Sequence, residues 1–292
     1  MKIRIATRES KLSVKQVEVV LEALKNFSLD CELIFVKTKG DIYQDLPPAK
    51  IGSKGIFEKE VNLALLNGLA DIAVHSLKDI PTEVGEGLEL IATMKRDSPF
   101  DCLISKKGEK LLELPEKAKV GTSSIRRKLA LKSLRDDLEV IDLRGNLDTR
   151  IRKLEEGYYD AILVAEAGVN RLGLRNKIAQ VFNEYQITPA PCQGIIGIYS
   201  REDDKEIKKI FKEISDKSSY LEATIERRIV KEVGGGCYSA LGVYSKVNGG
   251  SIRIVSSLYF PNKENNRTVE EYGSLEDLDS ILPKVVKGLK SI

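Results

Sequence analysis

The chain has 292 residues, 42% hydrophobic and 31% charged. That length suits two or three domains with sizeable cores, and that balance argues against intrinsic disorder. Basic and acidic residues number 47 and 44, a net charge of +3, which is too even to point to nucleic acid. Trp is absent and aromatics are 6%, so base-stacking platforms are poorly supplied. The four cysteines, Cys31, Cys102, Cys192 and Cys237, form no C-x-x-C pair, and His75 is the only histidine. Zinc ribbons, thioredoxin-like sites and multi-histidine metal centres are therefore disfavoured, and no metal is expected. No apolar run approaches the roughly 20 residues of a membrane span, and MKIRIATRES turns polar too early for a signal peptide. The expectation is a cytoplasmic protein with no membrane and no nucleic-acid partner.

Residues 2–7 alternate as a strand, and 12–25 carry a helical stripe of Leu12, Val17, Val20, Leu21 and Leu24. A second strand fits 31–37, followed by a long polar loop over 38–55, a length that marks functional loops. A helix over 56–67 stops at Gly68, and short apolar strands follow at 71–76 and 87–94. Past KRDSPFD at 95–101 the pattern restarts. Strands fit 101–105, 118–121, 138–143 and 160–165, and helices fit 124–135, 147–156 and 168–173. This alternation predicts two mostly parallel α/β domains. The last third differs: helices at 203–214 and 218–233, a Gly-Gly-Gly-Cys run at 234–237, and strands at 240–247 and 252–259 joined at Asn248-Gly249-Gly250, a hairpin signal. A terminal helix over 275–290 starts from a capping box at Ser274 and is kinked or split by Pro283. This part reads as a small α+β domain.

Eight of the sixteen arginines fall between Arg126 and Arg175. Arg126 and Arg127 follow GTSS where a strand meets a helix, Arg144 sits in LRGN after the next strand, and Arg150 follows. Strand carboxyl ends and helix N-termini line the ligand crevice of open α/β sheets, and Arg forks match carboxylates. This set reads as a site for a polyanionic small molecule, whereas Arg135, Arg152 and Arg175 read as a solvated helix face. HSLKD at 75–79 brings Ser76, Lys78 and Asp79 to another sheet edge. By itself it is weak, because a loop Lys–Asp pair is worth little, and His75 reads as a core or strand-end residue. Arg8 and Ser10 lie at a third such junction. Cys237 in its glycine run fits a reachable nucleophile and a buried cysteine near a helix end about equally well.

Together these motifs resemble the porphobilinogen deaminase (hydroxymethylbilane synthase) family. RIATRES, KTKGD, GSKGIF, ADIAVHSLKDIP, VGTSSIRR, LRGN, DAILVAEAGVNRLGL, PAPCQGIIGI and GGGC occur in family order over residues 3–237. The resemblance implies three domains. The first, residues 1–95 with 195–212, and the second, 100–190, are α/β domains similar to periplasmic-binding-protein lobes. The third, 217–292, is a small α+β domain. It further implies a monomer whose Cys237 carries a dipyrromethane cofactor through a thioether. Porphobilinogen is deaminated to an azafulvene, and four units join head to tail on that primer. The partners are thus porphobilinogen and the growing pyrrole chain. Asp79 resembles the catalytic carboxylate. Cofactor contacts fall to Lys78, Thr122, Ser123, Ser124, Arg126, Arg127, Arg144 and Gln193. Substrate contacts fall to Arg8, Ser10, Lys54, Ser76, Arg150 and Arg171. Two departures stand out: Glu9 beside Arg8 replaces a common neutral amide, and Pro191-Cys192 precede Gln193 where Val-Gly is usual. The rival readings are a non-catalytic two-lobed binding protein, which gives GGGC no purpose, and a nucleic-acid binder, which the charge balance opposes.

Overall fold

The structure is a computed structural model and describes residues 1–38, 58–234 and 240–291. Over residues 1–97 the elements are β1 (Lys2–Arg8), α1 (Lys11–Ala23), β2 (Asp30–Val36), α2 (Lys59–Leu66), β3 (Ile72–Ser76) and β4 (Leu88–Thr93). Over 98–194 they are β5 (Asp101–Ser105), β6 (Lys119–Gly121), α3 (Ile125–Leu134), β7 (Glu139–Ile141), α4 (Leu147–Glu155), β8 (Ala161–Ala165), α5 (Glu166–Arg171) and β9 (Gln180–Val181). The remainder forms β10 (Ile196–Arg201), α6 (Lys205–Ile214), α7 (Lys217–Val233), β11 (Leu241–Asn248), β12 (Ser251–Leu258), β13 (Arg267–Ser274) and α8 (Leu278–Lys290). The chain divides into two compact units, Met1–Asp97 with Ile195–Tyr220, and Ser98–Gly194 with Leu221–Ile292.

The first unit holds a five-stranded sheet of order β2-β1-β3-β10-β4. Strands β1, β2 and β3 pair in parallel, and β10 runs antiparallel between β3 and β4. The second unit repeats this plan as β7-β6-β8-β5-β9, with β5 antiparallel to β8 and β9. The antiparallel strands enter differently: one returns from far along the chain, and the other opens its own segment. Strand β10 follows the whole second α/β segment, and β5 precedes the βαβ run it joins. Helix stripes bury the sheets: Val17 and Val20 of α1, with Leu24 at its C-terminal cap, pack with Ile3, Ile5, Ile72 and Ile198. The second sheet has a cluster around Leu103, Val120 and Leu163 and another around Ile104, Ile162 and Val164. Burial on both faces explains the short, unbroken apolar strands.

The C-terminal part is a three-stranded antiparallel sheet, β11-β12-β13, whose core includes Ile225 and Ile229 of α7 and Ile281 and Val285 of α8. Asn248 pairs with Ser251, closing a two-residue loop in which Gly249 and Gly250 have φ of +54° and +87°. A type I′ turn needs positive φ at both positions, which is why glycine stands there. Pro283 does not split the last helix, since α8 runs through it from Leu278 to Lys290. It costs one amide donor near the helix start, and burial of Leu282, Val285 and Leu289 outweighs that. Arg135 is likewise no solvated surface group. It donates to the carbonyls of Leu111, Leu114 and Pro115 and pairs with Asp137, tying the end of α3 to a neighbouring loop. Arg152 does sit on an exposed helix face, paired with Glu156 one turn on.

Gly242 of β11 has no room for a side chain: a Cβ there would lie 2.6 Å from the Thr188 carbonyl oxygen. That oxygen is fixed because Arg126 Nη1 donates to it at 2.6 Å. Gly242→Ala is therefore expected to destabilise the protein by about 1–3 kcal/mol through overpacking. Urea unfolding followed by circular dichroism measures this, and an unchanged midpoint would show that the strand can move away.

Candidate functional site

In the first unit the carboxyl ends of β1 and β3 lie side by side in the sheet. Arg8 ends β1, and Ser10 caps α1, its Oγ accepting from the Ser13 amide at 3.2 Å and lying 2.8 Å from Ser13 Oγ. Ser76 ends β3, and a 3-10 turn over Leu77–Asp79 presents Lys78 half-buried and Asp79 exposed. Arg8, Ser76 and Asp79 line one small cavity of about 30 Å³ together with Ser13, Gln16, Glu58 and His75. Gln16 Nε2 donates to Ser76 Oγ at 2.5 Å, so a helix side chain sets that hydroxyl. Ser13 and Gln16 escaped the sequence reading. They lie three and six residues past Ser10 on the buried side of α1, and polar residues on a buried helix stripe are the signal.

His75 is buried, with Nε2 3.1 Å from Asn62 Oδ1. Burial, aided by the Arg8 charge, pushes its pKa down to about 3. The ring is neutral, and the contact with Asn62 puts its proton on Nε2. Because the folded state resists a proton that the unfolded chain takes up near pH 6.5, stability is intact above that pH. It falls by about 1.4 kcal/mol for each unit below it, down to the folded value. His75 is the only histidine, so the effect is separable. Between pH 7 and pH 5 the wild type is expected to lose about 2 kcal/mol more than a His75→Gln variant. Urea titrations of both proteins at the two pH values test this, and parallel losses would refute it.

In the second unit the carboxyl ends of β6 and β7 carry the other set. Thr122 is buried, its Oγ1 accepting from the Ser124 amide at 3.3 Å. Ser123 Oγ donates to the Leu143 carbonyl at 2.8 Å and accepts from the Leu143 amide at 3.1 Å, locking the two strand ends together. Ser124 caps α3. That helix begins inside out, with Ile125 exposed and Arg126 and Arg127 buried. Both guanidiniums converge on Asp101 of β5. Arg126 Nη2 is 2.8 Å from Oδ2, while Arg127 Nε and Nη2 donate to Oδ1 at 2.9 and 2.7 Å. Gln193 Nε2 donates to the same Oδ1 at 2.9 Å and to the Pro99 carbonyl at 2.7 Å, and its Oε1 accepts from Arg127. Burial opposes the Asp101 charge, but the Arg126 and Arg127 charges win and hold its carboxyl below the usual carboxylate range.

Arg126 and Arg127 are thus committed to Asp101, Thr188 and Leu163 rather than to a solvent-facing edge. Two arginines and one aspartate still leave one net positive charge beneath that edge. Asp101 was not singled out in the sequence, although an acid opening an otherwise buried strand, DCLIS, was its sign. Arg144 and Arg150 remain half-buried at the carboxyl edge, where Arg150 Nε donates to the Gly145 carbonyl at 2.8 Å. Arg171, at the end of α5, donates through Nη2 to the Gly194 carbonyl at 2.6 Å. Lys54 and Cys237 lie outside the described residues. Of the other cysteines, Cys102 and Cys192 are buried and Cys31 half-buried. Burial, with the Asp101 charge, pushes the Cys102 thiol up to about 12. Among the described residues no cluster of His, Cys, Asp or Glu suits a metal ion, and no helix is long and apolar enough to cross a membrane.

The chain matches known proteins along most of its length. The family model described as porphobilinogen deaminase, dipyromethane cofactor binding domain, matches residues 3–209. A "Probable porphobilinogen deaminase" from Hyperthermus butylicus is 48% identical over 274 residues, covering 92% of this chain and 89% of that one. Another of that name from Saccharolobus islandicus is 43% identical over 287 residues, covering 98% and 97%. Among solved structures, the methionine binding protein MetQ aligns with a TM-score of 0.47 at 17% identity, covering 78% of this chain and 95% of that one. With the family model spanning both α/β segments and relatives this similar end to end, this chain belongs to the porphobilinogen deaminase family.

Proposed function

We propose that this chain is a cytoplasmic, monomeric transferase. It deaminates porphobilinogen and joins four units head to tail into hydroxymethylbilane on a dipyrromethane primer held by Cys237, without nucleic acid or membrane. Its domains are 1–95 with 195–212, 100–190, and 217–292. The observation that carries the reading is the cavity in which Asp79, Arg8 and Ser76 meet at the carboxyl edge of the first sheet.

The residues present fit the cofactor by their chemistry. Half-buried Arg144, next in sequence to the Leu143 that Ser123 holds, supplies a permanent cation for the acetate and propionate groups of a dipyrrole, and half-buried Arg150 supplies one for the substrate's. When bound, the dipyrromethane supplies the pyrrole carbon to which the first substrate is joined. The chain's own residues do the rest. Asp79 balances the cationic charge that develops as ammonia leaves and accepts the ring proton afterwards. Arg8 pairs a substrate carboxylate. Ser76, aimed by Gln16, and Ser10 orient the ring, with Lys54 adding charge, while Lys78 pairs a carboxylate of the cofactor. Arg171 braces the Gly194 carbonyl, and Asp101 keeps Arg126 and Arg127 in place beneath Thr122 and Ser124.

The test is the mass of the intact protein as purified and after brief exposure to porphobilinogen. The wild type is expected to exceed its sequence mass by one dipyrrole and then to gain one to three pyrroles. Arg144→Leu and Arg150→Leu each remove a charge-assisted contact worth roughly 1.5–3 kcal/mol, which slows the affected step about 10–150-fold. The two variants should therefore accumulate differently loaded forms. Identical wild-type distributions in both would make these arginines a solvated face.

A further inference from the structure

Pro191-Cys192 replace the usual Val-Gly, yet the chain keeps a turn that favours glycine. Gln193 N–H donates to the Ala190 carbonyl at 3.0 Å, closing a four-residue turn, and Cys192 has φ of +61°. Proline second and positive φ third is the type II pattern, in which glycine is the ordinary third residue. A cysteine there is strained. The flipped central peptide turns the Cys192 N–H away from the turn's own hydrogen bond, and a carboxylate takes it. Glu226 Oε2 accepts that N–H at 2.5 Å. Its Oε1 accepts from the Ser245 N–H at 2.7 Å and from Ser245 Oγ at 3.0 Å.

Glu226 lies on α7 and is fully buried. Ser245 lies on β11, the edge strand of its sheet. In sequence, α7 and β11 flank residues 234–240, Cys237 among them. One residue past Cys192, Gln193 reaches Pro99, Asp101 and Arg127. A continuous polar path therefore runs from both elements that flank Cys237 in sequence, through the turn, to the arginine pair. Glu222, one helical turn earlier, makes the parallel bond to the Val247 N–H at 3.1 Å. It ties α7 to β11 at Val247 and Lys246, which makes it the comparison variant within the same helix–strand contact.

We propose that Glu226 is a positioning residue: by holding the Cys192 N–H it keeps the 190–193 turn in its strained form and so keeps Gln193 on Asp101 and Arg127. This rests on the reaction proposed above. A glutamine at 226 has a single side-chain acceptor oxygen, which cannot serve the Ser245 and Cys192 amides as two carboxylate oxygens do. The turn then relaxes to negative φ at Cys192, and Gln193 shifts.

The experiment compares Glu226→Gln, Glu222→Gln and the double variant Glu226→Gln/Cys192→Gly, each purified as the full chain. Glu226→Gln is expected to slow the appearance of forms bearing one to three added pyrroles about tenfold, since small displacements of a positioned group cost that much or more. It should also speed amide hydrogen exchange in the 190–194 peptide. Glu222→Gln should stay within about twofold of wild type in both readouts, even if its melting temperature falls as far. The added Cys192→Gly should restore the rate to within about threefold of wild type, because glycine takes positive φ without strain. Equal effects from both glutamate variants, or no rescue by glycine, would overturn the proposal. A wild-type protein without a covalent dipyrrole would instead sink the reaction proposed above, while exchange at 190–194 would still decide whether Glu226 holds the turn.

Discussion

Replacing Cys237 with serine is expected to yield a protein whose mass equals that of its sequence and whose porphobilinogen turnover is at background. In the proposed reaction the cofactor is attached through sulfur, and a thiolate is a far better nucleophile at neutral pH than a serine hydroxyl. The other cysteines cannot stand in. Cys102 is buried, with its thiol pushed up to about 12, first by burial and then by the Asp101 charge. Cys192 is buried, its Sγ against the Ala223 carbonyl at 3.7 Å. Cys31, half-buried on β2, has its thiol raised by burial and by Asp30. Cys31→Ser, Cys102→Ser and Cys192→Ser should each keep the added mass. An adduct that persists in Cys237→Ser and vanishes in one of the others would move the attachment site.

The second large effect is expected at Asp79. Asp79→Asn keeps the side chain's shape but removes its charge and its capacity to carry a proton. Loss of a positioned acid–base group costs about 10²–10⁴ in rate. Asp79 is exposed on a 3-10 turn, anchored by the Leu77 N–H donating to the Ile195 carbonyl at 3.0 Å. A surface substitution there should change stability by no more than about 0.5 kcal/mol. Steady-state turnover and thermal melting, measured on the same preparation, separate chemistry from folding. Turnover within about threefold of wild type would remove Asp79 from the reaction, and a large fall in melting temperature would make it a structural residue instead. Elongation assays at several pyrrole loads should show the loss at every addition, because the same bond is formed each time.

Much of the fold was legible in the chain. Alternation marked β1, a helical stripe marked α1, short apolar runs marked β3 and β5, and the strand–helix alternation placed α4, each to within a residue or two, because burial of a face, a stripe or a whole strand leaves its record in the sequence. Asn248-Gly249-Gly250 announced its turn through backbone chemistry alone. Strand β13, with the sequence RTVEEYGS, left no such trace. It is half-buried at a sheet edge, where Arg253, Glu270 and Tyr272 join in a surface cluster, so polar residues suffice. The membership of β10 in the first sheet is also invisible to local patterning. Its partners β3 and β4 lie more than a hundred residues earlier, and only non-local pairing brings them together.

The site divides the same way. Residue type and placement at strand ends picked out Arg8, Ser76, Asp79, Arg144 and Arg150, since the carboxyl edge of a parallel sheet is where ligands are met. The sequence also named Arg126 and Arg127, but it could not tell that both turn inward onto one carboxylate. That depends on Asp101, which opens an antiparallel strand 26 residues before Arg127. The same holds for Gln16 beneath Ser76 and Glu226 beneath Cys192. Helical or strand periodicity says which face of an element is buried, never which group from elsewhere lies against it. The sequence alone therefore determined the elements and the chemistry available at their ends. Tertiary structure decided which charges are paired inside and which remain at the edge, because a buried charge is tolerated only where distant segments bring its partner within hydrogen-bonding distance.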